Sequence, residues 1–84
     1  MEKSSSEETG IQVVIVDDHP FFREGIREVL SAESDISVVA EAETGDEALE
    51  IIPDINPDVT LMDVNLPGMN GMQVTKQLKD QHPM

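Results

Sequence analysis

The chain has 84 residues, with 5 Lys plus Arg against 18 Asp plus Glu, for a net charge of −13. That length holds one small domain, and charge of that sign argues against this polypeptide gripping nucleic-acid phosphates by itself. It carries no Cys, which excludes disulfides and thiolate metal sites, and no apolar run approaches the roughly 20 residues that cross a bilayer.

Residues 1–10, MEKSSSEETG, are polar, lack the basic start and apolar run of a signal peptide, and predict a disordered tail. Residues 11–84 are left for the fold. Ile11-Gln12-Val13-Val14-Ile15-Val16 is β-branched and nearly continuous in apolar character, the pattern of a strand buried on both faces. Asp17-Asp18-His19-Pro20 breaks it, and Pro20 suits the first position of a helix. Phe22, Ile26, Val29 and Leu30 then recur at helical spacing, which predicts one apolar stripe. Ser34-Asp35 ends that helix, and Ile36-Ser37-Val38-Val39-Ala40 reads as a second strand.

Thr44 followed three residues later by Glu47 has the form of a helix N-cap. Ala48, Leu49, Ile51 and Ile52 supply that helix's apolar side, and Pro53 and Pro57 mark its end and the next loop. Val59-Thr60-Leu61-Met62-Asp63-Val64 predicts a third strand, and Asn65 to Gly71 a loop rich in Pro, Gly and Asn. Met72, Val74 and Leu78 open a third helix running toward Met84. Strands alternating with helices imply an α/β domain with a parallel sheet covered on both faces.

Three acids stand where strands end: Asp17 and Asp18 after the first, Asp63 at the end of the third. Sites in open α/β sheets form beyond the carboxyl ends of the strands. If the first and third strands are neighbours, their ends lie about 5 Å apart, and the acids share one small volume. Carboxylates that close repel one another, and a hard cation such as Mg²⁺ relieves this with oxygen ligands. A carboxylate beside such a cation can attack phosphorus to give an acyl phosphate. Asp and Asn also favour strand-to-loop turns, so the weight rests on the set of acids, with Asp63 as the candidate nucleophile.

Three blocks of sequence run in order: Val14 to Ile26 (VIVDDHPFFREGI), Glu41 to Leu49 (EAETGDEAL) and Pro57 to Gly71 (PDVTLMDVNLPGMNG). Together they resemble the N-terminal part of a two-component response-regulator receiver domain of the NarL/LuxR type. The resemblance implies a flavodoxin-like (CheY-like) fold with strand order 2-1-3 for the first three β-α units. It implies that Asp63 accepts a phosphoryl group from the phosphohistidine of a sensor histidine kinase. Asp18, Asp63 and the Asn65 backbone carbonyl would hold Mg²⁺, with Asp17 acting through water. It further implies a cytoplasmic signalling protein, a phosphoryl acceptor and not a turnover enzyme. DNA contact would come only through a C-terminal helix-turn-helix domain outside this chain.

A complete receiver resembling this one has five strands. The hydroxyl residue, the Lys and the aromatic position carried by its later strands match no residue here, and Lys76 and Lys79 do not substitute for them. The third strand would then be an unprotected edge, which predicts self-association or element swapping. The competing reading is a pseudo-receiver, a protein–protein adaptor without phosphotransfer. Glu41, Glu43, Asp46, Glu47 and Glu50 read as a solvated acidic face, His19 as a loop residue, and His82 has no role. Asp63-x-Asn65-x-x-Gly68 begins like a calcium loop, but Val74 stands where a bidentate Glu is required. No G-x-G-x-x-G follows a strand, so dinucleotide binding has no support.

Overall fold

The computed structural model describes residues 10–81. The tail expected over residues 1–10 lies outside them except for Gly10, as does the end of the chain with His82. The elements are β1 (Ile11–Val16), α1 (Pro20–Ser31), β2 (Ile36–Ala42), α2 (Gly45–Ile55), β3 (Val59–Met62) and α3 (Gly71–Gln81). The three strands are parallel and ordered β2-β1-β3, the order the resemblance implies.

β1 is central, and its side chains show why its sequence is apolar from Val13 to Val16. Val13, Val14, Ile15 and Val16 are all buried. Val14 and Val16 enter a core with Ala42 of β2, Ala48 and Ile52 of α2, Leu66 of the following loop and Val74 of α3. Ile15 points to the opposite face, where it lines an open groove with Phe22 and Ile26 of α1 and Leu61 of β3. The helices therefore divide, α2 and α3 on one side of the sheet and α1 on the other.

The expected stripe on α1 forms but is not buried. Phe22 is 57% and Val29 70% exposed, and no residue of α1 is fully buried. Among the described residues the sheet beneath α1 is three strands wide and no element fills the groove beside Phe22 and Ile26.

Several boundaries differ from the sequence pattern for local reasons. β2 continues to Ala42 because its pairing with β1 shifts between Val13 and Val14, which face Val38 and Ala40. Val39 is thus an extra residue in β2, a β-bulge. The bulge pairs Glu41 with Ile15 and so turns Glu41 toward the α1 side. An unbroken register would have paired Glu41 with Val16 and aimed it into the apolar core.

α2 does not stop at Pro53 but continues to Ile55. Pro53 sits in the last turn, where the missing N–H costs one bond and no long segment follows to be kinked. Asn56 then adopts a left-handed conformation (φ 53°), and its N–H donates to the Ile52 carbonyl at 2.7 Å, a common helix terminator. At the other end the Thr44 hydroxyl accepts from the Glu47 N–H at 3.1 Å, the expected cap. The Glu47 carboxylate reaches back to the Glu43 N–H at 2.9 Å.

Ile52 joins α2 to the sheet in this core. Ile52→Val removes one methylene from it and is expected to lower the unfolding free energy by about 0.5–1.5 kcal/mol, read as a lower urea midpoint at unchanged slope.

Candidate functional site

The site is built where β1 and β3 end side by side. Val16 pairs with Met62, and the Asp63 N–H donates to the Val16 carbonyl at 2.9 Å. The Asp17 N–H donates to the Ala42 carbonyl of β2 at 3.0 Å. Continuing the ladder one residue past each strand places both acids at the carboxyl edge of the sheet. One ligand atom from each of Asp17, Asp18, His19 and Asp63 lies within 4.8 Å of the others.

Each carboxylate has a different setting. Asp17 is buried, and its Oδ1 accepts from the His19 N–H at 2.7 Å and contacts His19 Nδ1 at 2.8 Å. The Asp63 side chain is 17% exposed, and its Oδ1 accepts from the Asn65 N–H at 2.9 Å. The Asp18 side chain is one-third exposed, yet its Oδ1 is buried with no hydrogen-bond partner among the described residues. His19 Nδ1 is 3.1 Å from that oxygen, but its hydrogen bond goes to Asp17. A buried carboxylate oxygen without a donor is costly. Three carboxylates and one such oxygen fit a hard divalent cation, which takes oxygen ligands and tolerates excess negative charge.

The backbone behind Asp63 is held by a close approach that only glycine permits. A Cβ on Gly71 would strike the Asp63 carbonyl oxygen and lie 2.8 Å from Met62 Cγ. The Gly71 N–H donates to the Val64 carbonyl at 3.2 Å. In the loop between them Gly68 takes a positive φ of 76°, a conformation costly for other residues. Asn70 and Gln73 exchange reciprocal 2.9 Å bonds, each side chain accepting from the other's backbone N–H. This reciprocal pair is a capping box that opens α3.

Two residues of the site lay outside the sequence-based candidates. His19 was read as a loop residue, yet its ring reaches all three acids, 3.8 Å from Asp63 Oδ2 in the longest case. Its place directly after Asp17-Asp18 was the available signal. Arg23 was assigned no role, and its side chain is only 12% exposed. It donates to the Asp17 carbonyl at 2.6 Å, to Glu41 at 3.2 Å and to Glu43 at 3.2 Å. Arg27 also pairs with Glu41. Glu41, 24% exposed, is therefore a partner of α1 in contrast to the solvated face expected of it, whereas Glu43 pairs with Arg23 while staying 63% exposed.

The bond to Asp17, followed by the charges of Asp18 and then Asp17 and Asp63, raises the His19 pKa above its ordinary 6.5. A raised folded-state pKa means that the protonated ring stabilises the fold fully below the ordinary value. That contribution is lost as pH rises through the higher folded value. In divalent-free buffer, NMR titration of the His19 ring is expected to give a midpoint above 6.5. His19→Asn should flatten the fall in stability over that window, and a midpoint at or below the ordinary value contradicts the geometry.

Comparison with known proteins agrees with this architecture. The response regulator receiver domain family matches residues 13–84. The transcriptional regulatory protein DegU of Brevibacillus brevis is 46% identical over 76 residues, covering 90% of this chain and 32% of DegU. The signal receiver domain of NarL from Mycobacterium tuberculosis superposes with a TM-score of 0.82 at 44% identity, covering 86% of this chain and 58% of that one. RcsB from Salmonella enterica serovar Typhimurium, solved on a promoter with the phosphomimetic BeF3⁻, gives 0.80 at 30% identity, covering 88% of this chain and 38% of RcsB. The chain spans about a third of the length of DegU. On the match across residues 13–84, this chain belongs to the response regulator receiver domain family.

Proposed function

We propose that the chain is the phosphoryl-accepting segment of a NarL/LuxR-type transcriptional response regulator, acting in the cytoplasm on a signal from a sensor histidine kinase. The observation that carries this is the gathering of Asp17, Asp18 and Asp63 at one sheet edge, with the Asp18 Oδ1 buried and unpartnered among the described residues. In this reading an Asp63 carboxylate oxygen attacks the phosphorus of a phosphohistidine. The P–N bond breaks, the imidazole leaves with its electron pair, and an acyl phosphate remains on Asp63. Asp18, Asp63 and the Asn65 backbone carbonyl are the proposed Mg²⁺ ligands, with Asp17 acting through water. Mg²⁺ at this site supplies charge neutralisation for the transferring phosphoryl group. The Asn65 N–H holds Asp63 Oδ1, leaving Oδ2 as the freer oxygen.

DNA would be reached through a separate output domain, a view supported by the promoter-bound RcsB relative and by the net charge of −13 on this chain. Within a full-length regulator carrying this segment, incubation with Mg²⁺ and a small acyl phosphate is expected to add one phosphoryl group, read by intact mass. The adduct should vanish in Asp63→Asn and when EDTA removes the metal. An adduct that survives Asp63→Asn overturns the assignment. Its absence from the wild type, together with no Mg²⁺ binding, favours the adaptor reading.

A second proposal concerns the edge of the sheet. The outer edge of β3 has no strand partner among the described residues, and Val59 and Leu61 are about two-fifths exposed there. The adjoining groove is lined by Phe22, Ile26, Leu61 and Val64. An unpaired apolar edge recruits another strand, and in the 84-residue chain we assign that role to a second copy. The charge of −13 per chain opposes pairing and is screened by salt, so light scattering should show association increasing with ionic strength. A cooperatively melting monomer at both low and high salt contradicts it.

A further inference from the structure

We propose that Arg23 is a positioning residue for the divalent cation, setting the peptide that joins Asp17 to Asp18. The proposal rests on the reading of the carboxylate cluster as a Mg²⁺ site. The backbone of Asp17 is held on both sides of its Cα, the N–H by the Ala42 carbonyl at 3.0 Å and the C=O by Arg23 Nη1 at 2.6 Å. That C=O lies in the same planar unit as the Asp18 N–H. Whatever orients the Asp17 carbonyl therefore orients the backbone from which the Asp18 carboxylate departs.

Arg23 is itself fixed. Its N–H donates to the His19 carbonyl at 3.0 Å, placing it one turn into α1. Its Nε and Nη2 are taken by Glu41 and Glu43 at the end of β2. One rigid fork thus ties the β1–α1 loop to the end of β2, and the bulge at Val39 puts Glu41 on the side where the fork can reach it. Three acceptors in three directions suit a guanidinium with five donors in fixed geometry. The compact ammonium of Lys does not match that pattern. Arg23 touches no ligand atom of the cluster, so its effect passes through Asp17.

The experiment is Mg²⁺ titration of the 84-residue chain and of Arg23→Lys and Arg23→Gln, with urea melts of each. Partners that orient metal ligands typically contribute about 10–100-fold to metal affinity. Arg23→Lys keeps the charge and is expected to retain a cooperative melt while losing about tenfold or more in Mg²⁺ affinity. Arg23→Gln should lose at least as much. A folded variant of either kind that binds Mg²⁺ within twofold of wild type overturns the proposal.

The unaltered chain provides a readout that needs no variant. The Arg23 guanidinium resonances are expected to shift on Mg²⁺ addition with the same midpoint as the Asp18 amide, and resonances unmoved at saturation overturn the positioning role. Failure of the wild type to bind Mg²⁺ defeats the reading of the site as well. Wild-type binding with equal binding by the variants defeats the role of Arg23 alone.

Discussion

Like charges held close together at the end of a buried strand are the constraint around which this molecule is organised. Asp17 is buried, and Asp18 and Asp63 are near enough to share a cation with it. Such a cluster opposes folding unless positive charge or hydrogen-bond donors compensate. The compensation within the chain is local. Backbone N–H groups of His19 and Asn65 serve Asp17 and Asp63, and the His19 ring leans over all three acids. Asp18 Oδ1 is left without a donor among the described residues, and that is the place where an external cation has the most to offer.

The fold supplies the geometry that this cluster needs. A parallel ladder aligns strand ends, so centring β1 between β2 and β3 brings the carboxyl termini of all three to one edge. The apolar character of β1 on both faces is what makes it central. α3 abuts the backbone of Asp63 through Gly71, and α1 grips the backbone of Asp17 through Arg23. The two acids furthest apart in sequence are thus each braced by the helix that follows them.

Much of this was visible in the linear pattern. The β-branched run of Val13 to Val16, the Thr44-x-x-Glu47 cap and the turn-rich loop after Asp63 are local signals, and each gave its element. The acids at the strand ends could be named because strand ends are where the apolar pattern breaks. Other features escaped the pattern. The bulge at Val39 is a property of pairing between two strands, and nothing in Ile36 to Ala40 announces it. The roles of Arg23 and Glu41 depend on that bulge, so they were hidden with it. His19 looked like loop although its main partners, Asp17 and Asp18, directly precede it; only its approach to Asp63, 44 residues further on, needed the fold.

Residue order therefore carried the element types, the α/β class and the identity of the three acids, since these follow from periodicity and chemistry within a few positions. The convergence of those acids, the orphaned Asp18 oxygen, the exposed stripe of α1 and the fork of Arg23 required the folded chain. Each depends on which strands are neighbours and in what register, and a one-residue shift in β2 would send Glu41 into the apolar core instead of to Arg23.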